Sequence, residues 1–255
     1  NQRVYLYLNL TTTLRKAAYP FGILRQRNFG ILWCSMALSG TGMQMDALAL
    51  GWLVLTETNN PFLVGLIASA RMAFNFLALF SGAVADRVPR QRLLAIVMFL
   101  MTFLSLAMLA LLLSGRLEIW HIFALVLTAS VVRLFQMPAA QALVADILPE
   151  DRLSNGAALT TMGMNLNTVL GPLVGGFLFQ AIKPQGVYTV IALLYLSAGI
   201  LALYIRSSRT GSQSREDSVL KSMLEGLKYV KGQQVLWAMI LLAVILNFTG
   251  WPLHT

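Results

Sequence analysis

This chain has almost nothing with which to do covalent or metal chemistry. It holds one cysteine, Cys34, inside an apolar run, so it forms no internal disulfide and offers no thiolate zinc cluster. Its two histidines, His121 and His254, are too few and too far apart for a metal motif. There is no GxSxG turn, no HxxxD, and no glycine-rich phosphate cradle. These absences argue against an enzyme and against ATP-driven transport within this chain, and no cofactor or metal is expected. Charge is equally scarce: 11% of the 255 residues are charged, where a soluble domain carries about 25%. What is present is apolar, 57% of the chain. Lipid rather than water is therefore the expected solvent for most of it, and the lipid bilayer its first partner. The net charge of +9 then reports basic cytoplasmic loops, and nucleic acid is not expected as a partner.

The apolar residues fall into runs of membrane length. Spans are expected at about residues 29–55, 62–85, 93–113, 119–140, 156–181 and 187–205, with a seventh starting near 235. This divides the chain into a basic N-terminal tail (1–27), a six-span bundle (28–205), a polar connector (206–235) and a truncated seventh span (236–255). The first residue is Asn and the last run stops within apolar sequence, which reads as a piece of a longer protein. Fifteen of the 19 basic residues fall in the tail, the 2–3 loop, the 4–5 loop around ADILPEDRLSN and the connector. By the positive-inside rule those segments face the cytoplasm, as does the N-terminus. In the connector, Val219, Leu220, Met223, Leu224, Leu227 and Val230 recur at helical spacing among Lys221, Lys228 and Lys231. This spacing predicts an amphipathic helix, capped by Asp217 or Ser218, for the inner membrane surface or for a soluble partner.

The stretch LFSGAVADRVPRQRLL, residues 79–94, is a basic turn between two apolar spans. Its Gly82, Asp86, Arg87 and Arg90 resemble the signature loop between helices 2 and 3 of the major facilitator superfamily of secondary transporters. Pro89 stands where that pattern has a second glycine, and Gln91 delays the last basic residue to Arg92. The lead-in FGILRQRNFGILW is similar to that of the exporter branch. The resemblance implies an all-α integral membrane fold, here the N-terminal six-helix bundle made of two inverted three-helix repeats, with the C-terminal six-helix half as its missing partner.

Inside the expected spans, polar groups are few. Asp46 is the only carboxylate well within one of them. A charge at a helix centre costs about 2.5–3.5 kcal/mol on insertion scales, so it needs a partner, a water-filled cavity or a proton. At 100° per residue, Ser35, Ser39, Gly42 and Asp46 share one face. Asp46 has a bland reading, solvation near the outer end, beside the functional one. Arg71, with Asn75, Ala78 and Gly82 on its face, lies at similar depth on the antiparallel neighbour. A structural ion pair and a transport role are both open for it.

Arg133 followed by Gln136 and Pro138 resembles the helix-4 motif of drug:proton antiporters, with Met137 where that motif has glycine. The resemblance implies a part in proton coupling; the bland reading is that Arg133 holds backbone carbonyls. Gly163, Asn167, Gly171, Pro172, Gly175 and Gly176 resemble the helix-5 motif of antiporters and exporters, with Asn167 in the place of a glycine. Small residues four apart also suit plain close packing. Together these likenesses imply a proton-coupled exporter of small amphipathic molecules, drug- or siderophore-like, working by alternating access in a bacterial cytoplasmic membrane. A same-fold importer or lipid flippase, and a non-transporting membrane sensor or assembly factor, are the alternatives.

Overall fold

The computed structural model describes residues 20–72, 74, 81 and 88–206. Gly82, Asp86 and Arg87 of the signature loop, Asn75, Ala78, most of the tail, the connector beyond Arg206 and the seventh span lie outside the described residues. Among the described residues every regular element is helical.

A short 3-10 turn, Pro20–Arg25, leads into α1, Arg27–Thr58. Its 32 residues span roughly 48 Å at 1.5 Å per residue, more than the hydrocarbon core of a bilayer. Asn59 ends it in the left-handed conformation (φ 48°), its N–H donating to the Leu55 carbonyl. The Asn60 side chain then accepts the Phe62 N–H at 3.0 Å and starts α2, Pro61–Met72. Pro61 takes the first helical position, where a missing N–H costs nothing.

The third element, α3, runs Arg90–Ser114 and is closed by Gly115 at φ 65°. A reciprocal cap between Glu118 and His121 opens α4, Ile119–Arg133. The helix breaks at Leu134 and Phe135, whose N–H groups reach only three residues back, at 3.3 Å each. It resumes as α5, Gln136–Ile147. Pro138 is the cause: it has no N–H for the Leu134 carbonyl and its ring crowds that carbonyl.

The fourth span therefore reaches seven residues past the expected end at Ala140. Most of the loop expected around ADILPEDRLSN is helix or the 3-10 turn Glu150–Arg152. Ala139, Ala140, Leu143 and Val144 bury one face of α5 and carry the helix through residues whose polarity reads as loop.

The last element, α6, covers Leu153–Leu203 but turns at Ile182 and Lys183, the latter at φ 61°, ψ 171°. Its two arms run in opposite senses along α1. In the first arm Gly163 meets Trp33 and Gly175 meets Met45; in the second Tyr188 meets Asp46 and Ala198 meets Ser35. The fifth and sixth expected spans are these two arms, with Pro184 opening the second.

Three stretches of the described residues are long and apolar enough to cross a membrane: Arg90–Ser114, Ile119–Ile147 and Glu150–Leu203, the last holding two passes. The apolar character of α1 is diluted by its polar stripe. Phe62, Phe103, Leu113, Leu173 and Phe177 are 67–74% exposed, which suits lipid rather than water. The core is sealed by Phe29, Leu32, Met45, Met98, Tyr188 and Tyr195, each less than 2% exposed.

Candidate functional site

The interior face of α1 sets the site. Ser35 and Ser39 are 1% exposed, and Gly42 is buried with them. Ser35 Oγ donates to the Ala198 carbonyl on α6 at 2.8 Å. Ser39 Oγ accepts from Gln136 Nε2 at 3.2 Å, which ties α1 to the start of α5. Two turns beyond Ser39, Asp46 meets both interior arginines. Its Oδ2 accepts from Arg71 Nη1 at 3.0 Å and from Arg133 Nη2 at 2.7 Å. Its Oδ1 faces the Tyr188 hydroxyl at 3.4 Å. Arg71 Nη2 also reaches the Met43 carbonyl, at 3.5 Å. The three charged side chains keep 14–18% of their surface. Solvation at the outer end does not describe Asp46: it is clamped between helices.

Similar depth on neighbouring helices brings Asp46 to Arg71, and Arg133 reaches the same oxygen. Two residues not foreseen from the sequence complete the cluster, Tyr188 at Asp46 and Tyr195 beside Arg133. Their spacing of seven puts both tyrosines on one helical face, a signal present in the sequence.

Two cavities meet at this cluster. The larger, about 690 Å³, is walled by α1, α2, α4, α5 and the first arm of α6, with Trp33, Gln44, Arg71, Arg133, Gln136 and Asn167 among its lining. Five methionines, Met36, Met43, Met72, Met137 and Met164, share that wall. Methionine is unbranched and polarisable, so such a wall moulds to ligands of different outline. The smaller cavity, about 30 Å³, is lined by Asp46, Arg71, Ser105, Arg133 and Tyr188 together with Leu50, Met101 and Met108. It has the volume and polar groups to hold one water. The ion cluster stands between the two. Among the described residues no three metal-ligating side chains gather.

The first arm of α6 lies close against α1. A methyl added at Gly175 would stand 3.2 Å from the Met45 Cα, and one at Gly171 would run into the Gln44 side chain and the Thr41 carbonyl. Gly163 faces the Trp33 indole, whose Nε1 donates to the Leu159 carbonyl at 3.0 Å. Gly176 has ordinary room beside Leu48. Pro172 sits one residue past Gly171 inside the helix. Asn167 occupies the space that Gly40 leaves open, and its Oδ1 accepts from Thr41 Oγ1 at 3.1 Å.

Of the signature loop, Arg90 is the described member. Its Nη1 donates to Asp146 Oδ1 at 2.7 Å and to the Ala142 carbonyl at 3.3 Å. Asp146 is a second carboxylate inside a helix, 4% exposed, where the sequence reads as loop. At the same end Gln91 Nε2 donates to the Leu203 carbonyl and Asn28 Nδ2 to the Arg206 carbonyl, each at 2.8 Å.

A family model described as transmembrane secretion effector matches residues 18–250. Among individual relatives, an uncharacterised MFS-type transporter of Bacillus subtilis, YkuC, is 26% identical over 245 residues, covering 89% of this chain and 55% of the relative. The multidrug resistance protein MdtG of Serratia proteamaculans is 28% identical over 215 residues, 81% of this chain and 50% of the relative. Macrolide efflux protein A of Streptococcus pyogenes is 18% identical over 231 residues, 89% and 56% respectively. The chain spans about half the length of the curated relatives it matches.

Proposed function

Because this chain belongs to the transmembrane secretion effector family, a branch of the major facilitator superfamily, we propose that the protein carrying it is a proton-coupled exporter of small amphipathic molecules. The membership itself makes the chain part of an integral membrane transporter with an all-α fold, not an enzyme. Export is supported by the relatives named for macrolide efflux and multidrug resistance. Proton coupling rests on one observation: a carboxylate lining a small cavity, held by arginines from two other helices that also line the large cavity beside it. Two guanidinium groups favour the ionised carboxylate, and withdrawing them favours its protonation. A rocking motion that parts α2 and α4 from α1 then loads a proton on Asp46, and closure releases it. Gln136 steadies the closed arrangement through Ser39, and Gly163, Asn167, Gly171, Pro172, Gly175 and Gly176 form the seam along which α6 moves with α1. Gly82, Asp86, Arg87 and Arg90 bias one conformation through contacts at the signature-loop end, with the other six-helix half as partner.

The test is efflux from proteoliposomes holding the full-length protein. An imposed pH gradient should drive at least one of a panel of anionic, neutral and cationic amphiphiles against its concentration gradient, by up to about tenfold per pH unit for each proton exchanged. Accumulation that is indifferent to the gradient would refute the coupling.

The proposal places the N-terminus and signature loop on the cytoplasmic side of a bacterial inner membrane, as the basic residues direct. In a Cys34→Ser background, Arg116→Cys should react with an impermeant maleimide in intact cells. Arg92→Cys should react only after the membrane is opened. The reverse pattern would invert the orientation.

A further inference from the structure

We infer that the large cavity selects amphipathic molecules bearing one negative charge, a carboxylate, phosphate or sulfonate on an apolar body. The inference rests on reading that cavity as the binding site of the transported molecule. Its wall is unbalanced in charge. Arg71 and Arg133 both line it, and among the described residues no carboxylate does. Asp46 is turned toward the smaller cavity and supplies one negative charge against two positive ones. Residues 73–85 contain no acid in sequence. The remaining polar lining, including Gln44, Gln141, Asn167, Ser130 and Thr160, is amide or hydroxyl and carries no charge.

A guanidinium has five N–H donors in a planar fork, and Asp46 takes one from each arginine. Arg133, beside the Tyr195 hydroxyl, spends one of its five donors on Asp46. A partly desolvated positive charge is stabilised by an incoming anion, and the fork matches a carboxylate or phosphate in two-point contact. A cationic amphiphile meets the same surplus as repulsion. The methionines and Trp33 supply the apolar surface for the rest of the molecule.

The experiment uses the full-length protein in lipid-free detergent and three fluorescent probes that share one body: 1-pyrenebutyrate, its primary amide, and 1-pyrenebutylamine, which is cationic at pH 7. The carboxylate should bind about tenfold tighter than the ammonium, a modest return for one favourable charge contact at the edge of a low-dielectric site. Asp46→Asn should widen that ratio and Arg71→Gln should narrow it. Arg71→Gln with Arg133→Gln should reverse it, because Asp46 then carries the surplus. Affinities are read relative to the neutral amide, so misfolding, which weakens all three probes, does not imitate a change of selectivity. If the double variant does not fold, the two single variants decide.

Equal or tighter binding of the ammonium by the parent, or a ratio that ignores the wall charge, would overturn the inference. Displacement of the carboxylate probe by phosphatidylglycerol would put the same anionic chemistry on a membrane lipid; no displacement would put it on a free molecule. The ratio needs no gradient. A protein that prefers the anion yet shows no gradient-driven efflux refutes the transport reading and leaves this one standing. One that transports but prefers the cation does the opposite.

Discussion

In proteoliposomes, Asp46→Asn in the full-length protein is expected to abolish the response of efflux to a pH gradient while substrate still binds. Asparagine has nearly the shape of aspartate and still accepts hydrogen bonds, so contacts with Arg71 Nη1 and Arg133 Nη2 survive in part. What it cannot do is exchange a proton. One pH unit is worth about 1.4 kcal/mol per proton moved, a tenfold ratio of substrate across the membrane, and the variant should lose all of it. Equilibrative flux down the substrate's own gradient should persist. Removing the charge leaves two buried arginines facing each other, so expression and thermal stability must be matched to the parent before rates are compared. Asp46→Glu keeps the titratable group and should retain part of the response. An Asn variant that follows the gradient as the parent does would acquit Asp46 as the coupling group.

Gly171→Leu is expected to damage the protein far more than Leu173→Ala, two residues away. Gly171 faces the Gln44 side chain and the Thr41 carbonyl on α1, where even one added methyl finds no room. Leucine there forces the two helices apart along the line of Gly163 and Gly175. Overpacking of this kind costs about 1–3 kcal/mol, or roughly 2–12 °C in Tm, since backbone rather than a flexible side chain must yield. Leu173 is 67% exposed, so trimming it opens no cavity and should shift Tm by less than about 2 °C. Equal thermal stability and equal activity of the two variants would show that α1 and α6 are not in close register at Gly171.

The sequence speaks clearly about these features because the bilayer leaves few options. Length and apolarity locate the passes, and polar residues within them stand out against a uniform background. The stripe Ser35, Ser39, Gly42, Asp46 is legible for that reason, and so is the match in depth between Asp46 and Arg71. Arg133 is visible as an interior charge, but its reach to the same carboxylate oxygen depends on how α4 leans against α1, which periodicity does not carry. Asp146 is obscured by its company. Followed by Pro149, Glu150 and Asp151, it looks like part of a solvated loop, whereas the apolar face of α5 and the approach of Arg90 bury it. The turn at Ile182–Lys183 is placed within a residue or two by Lys183 and Pro184. The break at Leu134–Phe135 has its sign in Pro138, yet proline alone does not say whether a helix bends or stops.

That break separates two anchorages. Before it, Arg133 grips Asp46; after it, Asp146 is held by Arg90. A continuous helix behaves as a shaft and hands any twist at one end to the other. Here torque is lost at the joint, where two hydrogen bonds are already tightened to three-residue closures. If the Arg133–Asp46 contact opens, the rod carrying Arg133 would turn without disturbing the Asp146–Arg90 pair that fastens the other rod to α3. Timing at the two ends becomes a property of how tightly each anchorage holds, instead of a single stroke shared along the whole length.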